Sequence, residues 1–285
     1  MELNLHNYLG GASKLADLRE PRHVVEAAAR AMWAVKHDPR VKYEVERIMK
    51  ADETPSTNLE MELSEQMGKL LLEIPGQENA RFISEEHPGQ LIEGEDTWAS
   101  DTIDGTWSYL DEAGMRYTSV LSEHKGVEEV RGVIVHPPTG QVWQAYEGQV
   151  TVSNFRDHFD PQPFTAQATS ARNTSFINVH ARNSLDEVVD ALKGGLKDDP
   201  SIRMWVRREG SPALAIMEAL KGAGAYVANW TVPTDPWDLS APLLATEWAG
   251  GAHNVTSRIH QGWVVVAHCI ELRDKLLTRL TKLGA

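Results

Sequence analysis

Cysteine is almost missing from this sequence: Cys269 stands alone in 285 residues. That excludes an internal disulfide framework and fits a reducing, cytoplasmic compartment. Cys269 follows the apolar run Trp263 to Ala267, so a buried structural thiol is a simpler reading than a nucleophile. No apolar run approaches the roughly 20 residues of a membrane span. The start, Met1-Glu-Leu-Asn-Leu-His6, lacks the basic and apolar regions of a secretory signal. Positive charge is also scarce, with 28 Lys and Arg against 41 Asp and Glu and a net charge of −13. Nucleic acid and anionic membrane are therefore disfavoured as partners, because they are bound by a surplus of Lys and Arg. The same deficit repels a small anionic substrate unless a cation intervenes. Bound Mg²⁺ is the natural intermediary, since it takes carboxylate and phosphate oxygens together.

What is present is enough for one or two compact domains, with 41% hydrophobic residues to build a core. Repeats and low-complexity segments are absent. Residues 1–20 read as an ill-defined arm. Pro21 opens a helix whose apolar face is Val24, Val25, Ala28, Met32 and Val35. A second helix is predicted from about Thr57 to Ile74, with Leu59, Leu63, Met67, Leu70 and Leu71 on one face, and Pro75-Gly76 ends it. Short strands follow around 81–84, 97–100 and 117–122. Pro137-Pro-Thr-Gly140 separates two further strands as a hairpin. Beyond a polar stretch at 153–170, strands near 175–179, 202–206, 225–228 and 263–267 alternate with helices near 185–192, 212–221 and 238–248, and a last helix starts near Glu271. The pattern predicts an N-terminal α+β part, residues 1–160, and a C-terminal α/β part, residues 161–285.

The run Trp98-Ala-Ser-Asp-Thr-Ile-Asp-Gly-Thr106 carries the most chemistry. Asp101 stands at the end of an apolar strand. Asp104 reads as the N-cap of a helix beginning at Gly105-Thr106. Two carboxylates there can hold divalent cations, and the Gly105 and Thr106 N–H groups can face a phosphate. An ordinary capped helix beside a surface aspartate explains the same residues. Three more acidic sites bear on the choice. Glu85-Glu86 follows a strand. Asp238 opens a helix ending at Gly250-Gly251. Lys50 to Glu60 forms a charged loop turning into the second helix, where Thr57 and Glu60 also suit a capping box.

In order and spacing, these residues resemble the inositol monophosphatase superfamily over roughly residues 22–285. Lys50 to Glu60 is similar to its Lys-x-Asp…Pro-x-Thr-x-x-Asp segment, and Ser84-Glu85-Glu86 to its Gly/Ser-Glu-Glu motif. Asp101-Thr-Ile-Asp-Gly-Thr106 resembles Asp-Pro-Ile/Leu-Asp-Gly-Thr. Gly210-Ser-Pro-Ala-Leu214 matches a Gly-Ser-x-Ala-Leu helix start. Trp237-Asp238 through Glu247-Trp-Ala-Gly-Gly251 resembles the second signature.

The resemblance implies a layered αβαβα sandwich of the inositol monophosphatase/fructose-1,6-bisphosphatase type. It implies a lithium-sensitive, Mg²⁺-dependent phosphomonoesterase, with Mn²⁺ as a substitute metal and a homodimeric state. Glu85, Asp101 and the Ile103 carbonyl would hold one Mg²⁺, and Asp101, Asp104 and Asp238 a second. Glu85 would assist a weaker third. Glu60 and Thr106 would orient the attacking water, and Gly105 and Thr106 would seat the phosphate. Asp104, His180, Arg182, Gly210, Ser211, Asn229 and Asp238 would meet the substrate.

Two departures stand out. Glu60 replaces an aspartate and places its carboxylate about one methylene further out, where a one-ångström error can cost about 10²-fold in rate. Thr102 replaces a proline that fixes φ in that turn, yet every ligand remains. After Thr106, Trp107-Ser-Tyr109 matches neither the inositol-type Thr-Asn-Phe nor the Lys-Glu-Phe of 3′-phosphoadenosine 5′-phosphate nucleotidases. Trp107 and Trp230 flank these residues in sequence and could stack on a base or sugar face, and Arg207-Arg208 could meet a second phosphate, although a surface cationic pair is the simpler reading. The expected substrate is an inositol or sugar monophosphate. The alternatives are a nucleotidase-like phosphatase and a relative that binds metal or ligand without turnover.

Overall fold

Pro21 occupies the first turn of helix α1 (Pro21–His37), where its fixed φ suits helix entry. Val24, Val25, Ala28 and Met32 bury one stripe of it. These coordinates are a computed structural model. It describes residues 3–9, 20–51, 53–156, 159–166, 176–180, 192, 204–206, 210–221, 224–230, 233–256 and 260–281. Ahead of α1 lies a 3₁₀ turn at Leu5–Tyr8. A small hairpin, β1 (Arg47–Met49) and β2 (Pro55–Thr57), leads into α2 (Asn58–Leu72). Leu59, Leu63, Met67 and Leu71 of α2 are fully buried.

A seven-stranded sheet follows. Its strands are β3 (Arg81–Ser84), β4 (Asp96–Asp104), β5 (Thr118–Lys125), β6 (Glu128–His136), β7 (Gln141–Tyr146), β8 (Gln149–Asn154) and β9 (Phe159–Pro163), side by side in chain order. The pair β3–β4 is parallel and the remaining pairs are antiparallel. A short helix, α3 (Thr106–Leu110), joins β4 to β5. The second sheet holds β10 (Phe176–His180), β11 (Met204–Val206), β12 (Gly224–Trp230), β13 (Ala252–His253) and β14 (Gly262–Ala267), in the order β11-β10-β12-β14-β13. Helices α4 (Pro212–Leu220), α5 (Pro236–Trp248) and α6 (Ile270–Leu280) complete the described elements. The expected helix near 185–192 lies outside the described residues, apart from Leu192.

Strand alternation sorts these elements into five layers. Leu121, Val133 and Val142 face α1 and α2. Their neighbours Val120, Ile134 and Trp143 face α4 and α5. On the second sheet Tyr226 and Ala228 of β12 join that same central helical layer. Ala225 and Val227 turn the other way, onto α6. The result is the mixed α+β sandwich expected from the resemblance. Gly132 shows how tightly the middle packs: a Cβ there would stand 2.9 Å from Ala241 Cα on α5.

Two local expectations are corrected. Asp104 does not cap α3. It is the last residue of β4, and Gly105, at φ 95°, is the N-cap. Glycine wins because this turn needs the left-handed region, which costs it nothing. Asp238 is not the start of its helix either. Pro236 begins α5, Asp235 caps it, and Asp238 is its third residue.

Candidate active site

Asp101 and Asp104 are three residues apart, a spacing that puts side chains on opposite faces of a regular strand. The ladder between β4 and β5 breaks this rule. Asp101 pairs with Val120 and Asp104 with Thr118, so three steps on β4 match two on β5. That bulge resets the alternation and turns both carboxylates to one side.

Four helix N-termini border the site: Thr57 caps α2, Gly105 caps α3, Ser211 caps α4 and Asp235 caps α5. Their partial positive charge suits a carboxylate cluster. Glu60, 2% exposed, forms both halves of the predicted capping box with Thr57. Its Oε2 accepts from the Thr57 N–H at 2.6 Å and from the Ser56 hydroxyl at 3.0 Å. Its Oε1 accepts from the Thr106 hydroxyl, also at 2.6 Å. Thr106 Oγ1 lies 3.1 Å from the Ile103 carbonyl. Glu60 therefore caps α2 and reaches Thr106 at once; the extra methylene spans the gap.

Asp104 Oδ2 accepts from the Ser211 hydroxyl, from Thr118 Oγ1 at 3.0 Å and from the Ala213 N–H at 3.1 Å. Among the described residues its other oxygen is unbonded. Asp238 Oδ2 accepts from the Asp235 N–H at 2.7 Å. Glu85 is held by Lys50 at 2.6 Å, and the same ammonium reaches Glu86 at 3.1 Å. The Ser56 hydroxyl also lies 2.7 Å from Glu86 Oε1, so its one proton is shared between the two carboxylates. Asp101 is buried with no donor on its carboxylate among the described residues.

Burial penalises charge on Asp101, Glu60, Asp238 and Asp104. It raises Asp101 well above the usual carboxylate range, with the charges of Glu85, Asp104, Glu60 and Glu86 adding to the effect. Glu60 rises to about 8, against the opposing bond from Thr106. Asp238 rises to about 7, and Asp104, despite its three donors, to about 6, burial being the main cause in both.

Among the described residues no three His, Cys, Asp or Glu side chains converge in ligating geometry. The reason is local: Glu85 is drawn to Lys50, Asp104 to Ser211 and Thr118, and Asp238 to the Asp235 N–H. The donor set still fits a hard divalent cation. It is all oxygen, and it offers an unbonded buried carboxylate at Asp101.

Gly105 and Ser211 are brought together: a Cβ on Gly105 would stand 2.8 Å from both the Arg116 carbonyl and the Ser211 nitrogen. Gly210, at φ 116°, abuts Arg116. Asn229 lies in β12 opposite Trp263 and is bonded to none of these groups among the described residues. His180 ends β10, and only its backbone is described; Arg182 and Arg207-Arg208 lie outside the described residues. Thr118, Ser56 and the clamping role of Lys50 escaped the sequence reading. Thr118 has no motif around it, and only the bulge brings it to Asp104. Cys269, partly buried, caps α6 away from these groups.

A sequence model described as the inositol monophosphatase family matches residues 20–273. The chain belongs to this family. Membership supports a phosphatase of the inositol monophosphatase superfamily. No curated protein matches it in sequence. Among solved structures, the extragenic suppressor protein SuhB from Bartonella henselae is 16% identical, with 90% of this chain and 94% of that one covered and a TM-score of 0.71. SuhB from Mycobacterium tuberculosis is 21% identical, over 95% of this chain and 98% of that one, with a TM-score of 0.67. An IMPase/NADP phosphatase complexed with Mg²⁺ and phosphate is 19% identical, over 84% and 88%, with a TM-score of 0.64. At such identities these likenesses speak for the fold. Among the described residues, no helix is long and apolar enough to cross a membrane.

Proposed function

We propose that this family member is a Mg²⁺-dependent phosphatase of a small phosphomonoester, with inositol and sugar monophosphates as first candidates. The observation that carries the reading is the buried pair Asp101 and Asp104, turned to one side by the β4–β5 bulge, beside a Thr106–Glu60 hydrogen bond of 2.6 Å. Glu85, Asp101, Asp238, Asp104 and the Ile103 carbonyl are the groups that would hold two or three ions, with Mn²⁺ able to replace Mg²⁺ and Li⁺ inhibiting. Bound there, divalent cations supply positive charge to the phosphate oxygens and acidify a water. A neighbouring fold that binds Mg²⁺ and phosphate together is consistent with that chemistry.

The chain's own residues do the rest. Thr106 spends its proton on Glu60, so its oxygen is left as an acceptor that aims a water O–H. Glu60, once ionised, takes the proton that water releases. Gly105 lets the backbone come close, and the Gly105 and Thr106 N–H groups face the phosphate. Asp104, pinned by Ser211, Thr118 and the α4 N-terminus through one oxygen, leaves the other without a hydrogen bond among the described residues. Residues 1–160 would carry most of these groups, and residues 161–285 would bring Asp238 and the substrate loops, Ser211, Asn229, His180 and Arg182 among them.

The test is a phosphate-release screen over inositol phosphates, sugar phosphates, histidinol phosphate and nucleotide bisphosphates, with and without Mg²⁺. Turnover that needs Mg²⁺ and collapses in Asp104→Asn is expected. An absence of Mg²⁺-dependent release across the panel would refute the reading.

A further inference from the structure

The described tryptophans are mostly interior. Trp98 and Trp143 are 1% exposed and Trp237 is 4% exposed. Trp230 packs against the central helical layer. Trp107 differs: it is 42% exposed, although a buried indole would contribute strongly to stability. It follows Thr106, whose hydroxyl is bonded to Glu60, so the ring stands one residue from the reacting centre proposed above.

The ring is also held. Arg47, on β1, places its guanidinium 4.2 Å from the Trp107 ring centroid. Among the described residues Arg47 has no carboxylate partner, in a protein carrying an excess of acid. Its other contact is with Met49 Sδ, at 3.2 Å. Three residues on, Lys50 holds Glu85 and Glu86. The β1–β2 hairpin therefore carries both the cation stacked on the Trp107 ring and the one that holds Glu85 and Glu86.

We infer that Trp107, positioned by Arg47, determines substrate selectivity: its indole offers a flat apolar face to the ring of a cyclic phosphomonoester. Cyclic alcohols present a C–H or aromatic face that stacks on an indole, and an acyclic alcohol of similar size does not. This inference rests on the phosphatase reading. An ordinary surface stack that only pins the hairpin would instead affect cyclic and acyclic esters alike.

The experiment compares kcat/KM, with Mg²⁺, for a cyclic ester (inositol 1-phosphate or 4-nitrophenyl phosphate) and an acyclic one (glycerol 2-phosphate). Native protein, Trp107→Ala, Trp107→Phe and Arg47→Ala are measured. The cyclic-to-acyclic ratio should fall about 3- to 10-fold in Trp107→Ala, chiefly through KM of the cyclic ester. Trp107→Phe should restore most of it, and Arg47→Ala should lower it in the same direction. A ratio within twofold of native in Trp107→Ala overturns the inference while leaving the phosphatase reading standing. Native protein that hydrolyses none of these esters overturns both.

Discussion

Glu60 carries the sharpest question at the scale of single residues. The same carboxylate that completes the α2 cap also binds Thr106, so a capping role is compatible with the proposed water-orienting one. Glu60→Gln keeps an acceptor oxygen for the cap but loses the proposed base. It should lower kcat about 10²- to 10⁴-fold while leaving the Mg²⁺-induced rise in melting temperature intact. Glu60→Asp is too short to hold Thr57 and Thr106 together and should lose about 10-fold or more. A rate gain would mean that the longer side chain impairs the native site.

His136 allows a separate check, remote from the carboxylates. Its Nε2 donates to the Met115 carbonyl at 2.8 Å, and its Nδ1 faces Thr139 Oγ1 at 2.8 Å. Burial pushes its pKa down. A depressed histidine contributes stability that is present above the ordinary value near 6.5 and is lost as pH falls below it toward the folded-state value. Melting temperatures between pH 5 and 7.5 should fall less steeply on the acid side in His136→Gln than in native protein. Parallel curves would count against a neutral buried His136.

The decisive device at the scale of elements is the β4–β5 bulge, which aims Asp101 and Asp104 to one side. Next to it, Gly105 lets α3 start against the 116 and 211 segments. Gly105→Ala would force a Cβ into two backbone groups at a φ of 95°. Unfolding in urea should show a loss of about 1–3 kcal/mol, with activity falling as Thr106 shifts from Glu60. Unchanged stability would mean that this turn relaxes freely. Periodicity made α1, α2, the β6–β7 hairpin and the α4 start legible, because each pattern is local. Asp104 and Asp238 were misplaced within their elements because an aspartate at the last position of a strand, or in the first turn of a helix, looks the same in sequence as an N-cap aspartate.

Charge governs the whole molecule. Buried carboxylates raised by desolvation make the metal-free fold less stable as pH climbs through their folded pKa values, Asp104 near 6 and Asp238 near 7. Saturating Mg²⁺ should raise the melting temperature, more at pH 8 than at pH 6, because the ligands must be ionised. Asp101→Asn should melt higher than native protein in EDTA at pH 8 and gain little from Mg²⁺. Equal melting with and without EDTA in both proteins would argue against a metal centre.

Residue chemistry and short-range order were written in the sequence: the five motifs, four of them acidic, their sequence spacing, the helix faces and the strand alternation that builds the layers. They persist because each depends on neighbours within a few residues. Which groups meet was decided only by the tertiary structure. Glu60 reaches Thr106 across 46 positions, Asp104 finds Ser211 across 107, and Lys50 closes on Glu85 across 35. Such pairings depend on a bulge, on sheet register and on helix docking, which come from packing the whole chain and not from any one segment of it.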